Sequence, residues 1–192
     1  MTKEEVLILF KATGALLEGH FLLTSGLHSP QYFQCARVLQ YPQHAQKLCW
    51  EIAYQYMSNK INVVIGPALG GIVVAQEVAR LMSARAIFAE REEGKMTIRR
   101  GFEIKSTEKV LVVEDVVTTG GSIKEVINLV QEKGANLVGV GFLVDRSQNR
   151  ISFSVPKFSV FEMDVVTYQP DECPLCKQGV PVVKPGSRKL VG

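Results

Sequence analysis

Apolar and polar positions along the chain follow two periods, and the alternation between them predicts the architecture. Thr2 and Glu5 form a capping box, and Val6, Leu7, Leu9 and Phe10 behind it give a helical stripe. "GHFLLTSGLHSPQYFQC" predicts two short strands joined by a turn around Ser25 to Pro30. A long helix follows from Pro42 to about Met57, with proline in its first turn. "NVVIGPALGG" is a short buried strand breaking into glycines, with a helix from about Ile72 to Met82 behind it. "RAIFAE" and "VLVVED" are the next two strands. Ser122 and Glu125 suggest a second capping box, opening a helix that stops at Lys133-Gly134. "LVGVGFLVD" is a further apolar strand. Strands that are apolar on both faces and alternate with helices predict an α/β fold, a parallel sheet covered on both sides.

Length and composition narrow the class without changing that outline. The 192 residues suit a single domain over 1–192: a small N-terminal unit to about 40, a core over about 41–169 and an irregular Pro/Gly-rich tail over 170–192. Hydrophobic content of 46% predicts a packed core, not disorder. A formal charge of +3, with no basic stripe and no helix-turn-helix pattern, gives no case for nucleic acid. No apolar run approaches the length of a membrane span, and "MTKEEVLILFKATG" lacks a basic start and a cleavage site. With four cysteines and no export signal, a reducing cytoplasm with free thiols is expected.

In open parallel sheets ligands sit beyond the C-terminal strand ends. Three loops leave such ends: Gly66–Gly71, Glu114–Ser122 and Asp145–Arg150. The middle one, within "VLVVEDVVTTGGS", sets two carboxylates before a run of hydroxyls and glycines. Thr118, Thr119, Gly120, Gly121 and Ser122 lead into a helix N-terminus, whose free N–H groups and dipole favour a phosphate. Glu114 and Asp115, one step upstream, suit sugar hydroxyls or a divalent cation. A ribose 5-phosphate satisfies both halves of the loop. Neither G-x-x-x-x-G-K-[ST] nor G-x-G-x-x-G is present, and Val117 stands where an Asp-x-Asp motif would need its second acid.

"VLVVEDVVTTGGS" resembles the phosphoribosyl-diphosphate signature of the type I phosphoribosyltransferases. "GHFLLTSGLHSPQYFQ" resembles the N-terminal hood of the orotate branch of that family, "GPALGGI" its pyrophosphate-contacting loop, and Asp145-Arg146 the pair that ends the following strand. The resemblance covers about Glu4 to Arg150 in the family's motif order. It implies the type I phosphoribosyltransferase-like sheet flanked by helices with a small N-terminal hood. The implied activity is transfer of ribose 5-phosphate from phosphoribosyl diphosphate to orotate, a step of pyrimidine (UMP) biosynthesis. Mg2+ would be held mainly through the diphosphate and ribose oxygens and not by a protein cage. The same resemblance implies a homodimer with a lid shared between subunits, and no nucleic-acid or membrane partner.

Individual roles follow from the resemblance. Phosphoribosyl diphosphate would be bound by Arg91, Lys95, Glu114, Asp115, Val116, Val117, Thr118, Thr119, Gly120, Gly121 and Ser122. Orotate would meet Thr118, Arg146, Tyr32 and Phe33. The lid is "EREEGKMTIRRGF", Glu90 to Phe102, whose only lysine, Lys95, is the expected catalytic cation on the departing pyrophosphate. Arg99 and Arg100 are weaker candidates for the same anion. Relatives often carry lysine where this chain has Thr24 and Gly70, and a more basic lid than Glu92 and Thr97 allow. Two rival readings keep the phosphate loop: a purine or xanthine phosphoribosyltransferase, and a non-catalytic phosphoribosyl-diphosphate sensor. Cys173 and Cys176 make one C-x-x-C, expected to be a thiol-bearing turn, because Cys35 and Cys49 have no metal-like spacing; a metal with a second pair from a dimer is the alternative. His28 in the hood could stand in for a missing basic group, but a single histidine there is expected to be structural.

Overall fold

The computed structural model describes residues 1–185 except Thr24, Asn149 and Val165. In chain order, α1 (Lys3–Ala12) is followed by the hairpin strands β1 (Leu16–Leu22) and β2 (His28–Phe33), then α2 (Ala36–Leu39) and α3 (Pro42–Tyr56). The core continues with β3 (Val63–Pro67), α4 (Gly70–Met82), β4 (Arg85–Glu92), β5 (Lys95–Ile98), β6 (Lys109–Val117) and α5 (Gly121–Glu132). It closes with β7 (Asn136–Asp145), β8 (Lys157–Glu162) and a short α6 (Pro174–Lys177). Six strands form one sheet in the order β5-β4-β3-β6-β7-β8, parallel throughout except for β5.

Two-residue alternation divides the central strands between two cores. Val64, Leu111, Val113 and Leu143 face α1, α3 and α4, packing with Val6, Phe10, Leu48, Ile52, Val74 and Val78. Val63, Ile65, Val110, Val112 and Phe142 face α5, packing with Ile123, Val126 and Val130. Burial on both faces is what makes these strands continuously apolar in sequence. No helix among the described residues is long and apolar enough to cross a membrane.

The expected elements form, with four differences. First, β8 was not anticipated; it pairs parallel with β7 and extends the sheet. Second, the lid is an ordered β-hairpin whose turn residues, Glu93 at φ 50 and Gly94 at φ 84, are both left-handed, as a two-residue hairpin turn requires. Glutamate is an unusual occupant of such a turn, so the sequence carries little sign of it. Third, Ser122 and Glu125 do not form a capping box. Gly120 at φ 73 is the N-cap and no side chain caps α5; Glu125 pairs with Arg91 instead. Only the box of Thr2 and Glu5 forms. Fourth, the tail is not merely laid on the body. Val183 bridges Phe21 in parallel, and Tyr168, just before the tail, bridges His28 in antiparallel fashion, so the chain from Tyr168 onward flanks the hood hairpin on both of its strands.

Candidate active site

Of the three loops expected to form the site, those after β3 and β6 line one cavity, whereas the Asp145–Arg150 loop after β7, Arg146 included, lies outside its lining. A cavity of about 470 Å³ is lined by Ala68, Leu69 and Gly70 after β3, by Glu114 to Ile123 after β6, and by Tyr32 and Gln34 from the hood. The whole acid-and-glycine loop, Glu114 to Ser122, therefore faces one space. Gln34 is a wall residue that sequence reasoning did not single out.

At the end of β6 the backbone leaves the core. Val110 to Val113 are buried, Glu114 is 9% exposed, Asp115 is part-buried, and Thr118 and Thr119 are exposed. Burial pushes the Asp115 carboxyl above its ordinary value, against hydrogen bonds from its neighbours, including one from the Val116 N–H at 2.9 Å. A partner that replaces lost water, such as a sugar hydroxyl or a cation, would favour its ionised form. Two glycines shape this region. A Cβ on Gly70 would land on the Asp115 carboxylate, so the β3 loop approaches the acid with backbone alone. Lysine at this position would require Asp115 to move; Thr24, the other departure, lies outside the described residues. Gly120 combines its left-handed φ with Ile151 only 3.0 Å from where a Cβ would stand. By contrast, a Cβ on Gly121 would meet nothing nearer than the Thr119 hydroxyl at 3.9 Å, so its side faces the open cavity.

Arg146 follows β7 directly, and its N–H donates to the Val117 carbonyl at 2.9 Å, which ties it to the start of the glycine turn. Its guanidinium carbon lies 5.9 Å from the centre of the Phe33 ring. Burial lowers its pKa, and its Nε is buried without a hydrogen-bond partner. A guanidinium N–H left unpaired in the protein is a strong donor held for an anion. Asp145 does not satisfy it. That carboxylate accepts from Lys157 Nζ on β8 at 2.7 Å and from the Ser147 N–H at 2.8 Å.

The remaining expected site residues are distributed unevenly. Tyr32 lines the cavity, whereas Phe33 is buried against Phe10 and Phe161 and reaches the site only beneath Arg146. Lys95 and Arg91 stand on the β4–β5 hairpin and Arg99 and Arg100 directly follow it, all outside the cavity lining. Each arginine is neutralised by a glutamate: Arg91 with Glu125 at 2.8 Å, Arg99 with Glu92 at 3.1 Å and Arg100 with Glu90 at 2.9 Å. Lys95 is exposed and makes no ion pair among the described residues.

The chain is similar to known proteins along most of its length. A family model described as the phosphoribosyl transferase domain matches residues 37–172, and the chain belongs to that family. Its relatives place it more finely, among the orotate phosphoribosyltransferases. It is 59% identical over 190 residues to the orotate phosphoribosyltransferase of Thermoanaerobacter sp., covering 99% of this chain and 100% of that protein. Identity to the orotate phosphoribosyltransferase of Pelotomaculum thermopropionicum is 54% over 190 residues, with the same coverage of 99% and 100%. The crystal structure of orotate phosphoribosyltransferase from Aeropyrum pernix superposes with a TM-score of 0.68 at 28% identity, covering 81% of this chain and 92% of that one.

Proposed function

We propose that this chain transfers ribose 5-phosphate from phosphoribosyl diphosphate to orotate, giving orotidine 5′-phosphate and pyrophosphate, as a cytoplasmic homodimer. The observation that carries the reading is the single cavity joining Glu114 and Asp115 to the Thr118–Ser122 turn. The 5-phosphate takes the N–H groups and hydroxyls at the start of α5, and the two carboxylates accept from the ribose hydroxyls. Val116 and Val117 hold the strand end that spaces these two subsites. Orotate carries a carboxylate, which the Arg146 guanidinium suits; Thr118 and Tyr32 line the cavity, and Phe33 backs the guanidinium.

Orotate nitrogen is the nucleophile, so the protein supplies position and charge, not a covalent intermediate. Lys95 is the cation for the departing pyrophosphate, with Arg91 beside it on the lid. Oxygen-only donors at the cavity, Glu114 and Asp115, are compatible with Mg2+, a hard cation that keeps several oxygen ligands from substrate and water. Bound with phosphoribosyl diphosphate, Mg2+ would offset the diphosphate charge. Loss of orotate absorbance with phosphoribosyl diphosphate and Mg2+, assayed beside adenine, guanine, hypoxanthine and xanthine, tests the assignment. Turnover confined to orotate is expected. Turnover of a purine alone would move the chain to another branch, and none with any base would leave a sensor.

A further inference from the structure

The structure assigns a tetrahedral zinc site to His20, His28, Cys173 and Cys176, which together fasten the hood hairpin to the tail. One ligand atom from each lies within 4.8 Å of all the others. His20 Nε2 stands 2.8 Å from His28 Nδ1, 3.5 Å from Cys173 Sγ and 3.8 Å from Cys176 Sγ, and Cys176 Sγ stands 3.3 Å from His28 Nδ1. With Zn–N bonds of about 2.0–2.1 Å and Zn–S bonds of about 2.3 Å, a tetrahedron has N···N edges of about 3.4 Å and N···S edges of about 3.6 Å. The three N···S separations of 3.3, 3.5 and 3.8 Å lie close to that edge, within about 0.3 Å. The two imidazoles need to part by roughly half an ångström to admit the ion.

Ligand chemistry and surroundings point to the same ion. Two thiolates with two imidazoles form a set that favours zinc over hard cations such as magnesium or calcium. His20 Nδ1 lies 2.7 Å from the Val180 carbonyl, which can only accept, so the neutral ring carries its proton there and turns the Nε2 lone pair toward the cluster. Such a carbonyl partner is the usual second support of a metal-bound imidazole. His20, His28 and Cys173 are buried, while Cys176 is exposed and gives the ion a way in. The C-x-x-C turn is stabilised by Lys177 N–H to the Cys173 carbonyl and Gly179 N–H to the Cys176 carbonyl. All four ligands lie outside residues 37–172, the part of the chain matched by the phosphoribosyl transferase domain model, and none of them lines the cavity of Glu114 to Ser122.

Metal content of the full-length protein, expressed with zinc in the medium, purified under reduction and desalted, tests the site. About one equivalent of zinc per chain is expected by mass spectrometry of the metal, falling to background in Cys176→Ser and His28→Ala. Chelation should expose two thiols to maleimide. Cys35 and Cys49 stay silent, because burial pushes the first well above its ordinary value and the second up to about 12. Should the variants fail to fold, cobalt added to the chelated parent protein decides alone: intense visible bands with a thiolate-to-metal absorption mark the tetrahedral site. No zinc, no cobalt bands and thiol reactivity indifferent to chelator would overturn the proposal. A Cys173–Cys176 disulfide in freshly purified protein, with no metal, would overturn it equally.

Discussion

Arg146 is a side chain whose charge is stranded by the fold. Its neighbour Asp145 is taken by Lys157, and its Nε has no partner, so an orotate carboxylate would complete it. Arg146→Ala is expected to cost about 2–4 kcal/mol in kcat/KM for orotate while phosphoribosyl diphosphate affinity, read by calorimetry, barely changes. Equal loss of both substrates would make Arg146 a scaffold residue. Much of this was legible in the chain: an arginine just past an apolar strand must emerge at the strand's C-terminal edge. What was not legible is which nearby acid it would leave alone, because Lys157 reaches Asp145 from a strand the sequence did not announce. Tyr32 and Phe33 show the same limit. Adjacent strand residues point to opposite faces, so only one of them could line the cavity.

Turns and strand pairs decide the next two expectations. The β6–α5 turn uses its glycines differently: Gly120 is needed by the backbone, Gly121 by whatever occupies the cavity. Gly121→Val should therefore fold with an unchanged melting temperature and lose phosphoribosyl diphosphate binding in calorimetry. Unaltered affinity in the folded variant would remove the phosphate from this turn. Between β7 and β8, the bonds from Lys157 and Ser147 outweigh the effect of burial and hold the Asp145 carboxyl below its ordinary 3.8. A carboxyl depressed in the folded state stabilises above its unfolded pKa and loses that contribution as pH falls through the folded one. Asp145→Asn should thus lower stability by roughly 1.5–3 kcal/mol at neutral pH, a deficit that shrinks in urea melts as the pH falls below the ordinary 3.8 and through the folded-state value. A pH-independent difference would mean packing, not charge, is at stake. The glycine-hydroxyl turn was legible because its chemistry is contiguous. The capping box failed because Gly120 took the cap, and the lid hairpin was hidden because Glu93 occupies a position that asparagine or aspartate would have advertised.

At the scale of the molecule, the parallel core was legible from alternating strands and helices, whereas the embrace of hood and tail was not. A bulge between Glu18 and Phe21 turns both His20 and Phe21 inward, breaking the alternation that would have flagged His20. The cluster around His28 was hidden because its two cysteines lie far along the chain. Lid geometry bears on assembly: with its arginines tied to glutamates, Lys95 remains the cation to reach a site, and the homodimer reading places that site in the neighbouring subunit. Mixing Lys95→Ala with Asp115→Asn subunits should then restore part of the activity lost in each, since one site of the hybrid is intact. No rescue after demonstrated subunit exchange would put Lys95 in its own chain's site. The hood itself has a consequence for how the protein is made. Its two strands leave the ribosome well before Val166 and Val180, which accept from Ser29 and His20 and come 137 and 160 positions later. A lone two-stranded hairpin is marginal in water. During synthesis the hood must therefore wait, unfinished, until Val166 and Val180 have emerged, long after its own strands.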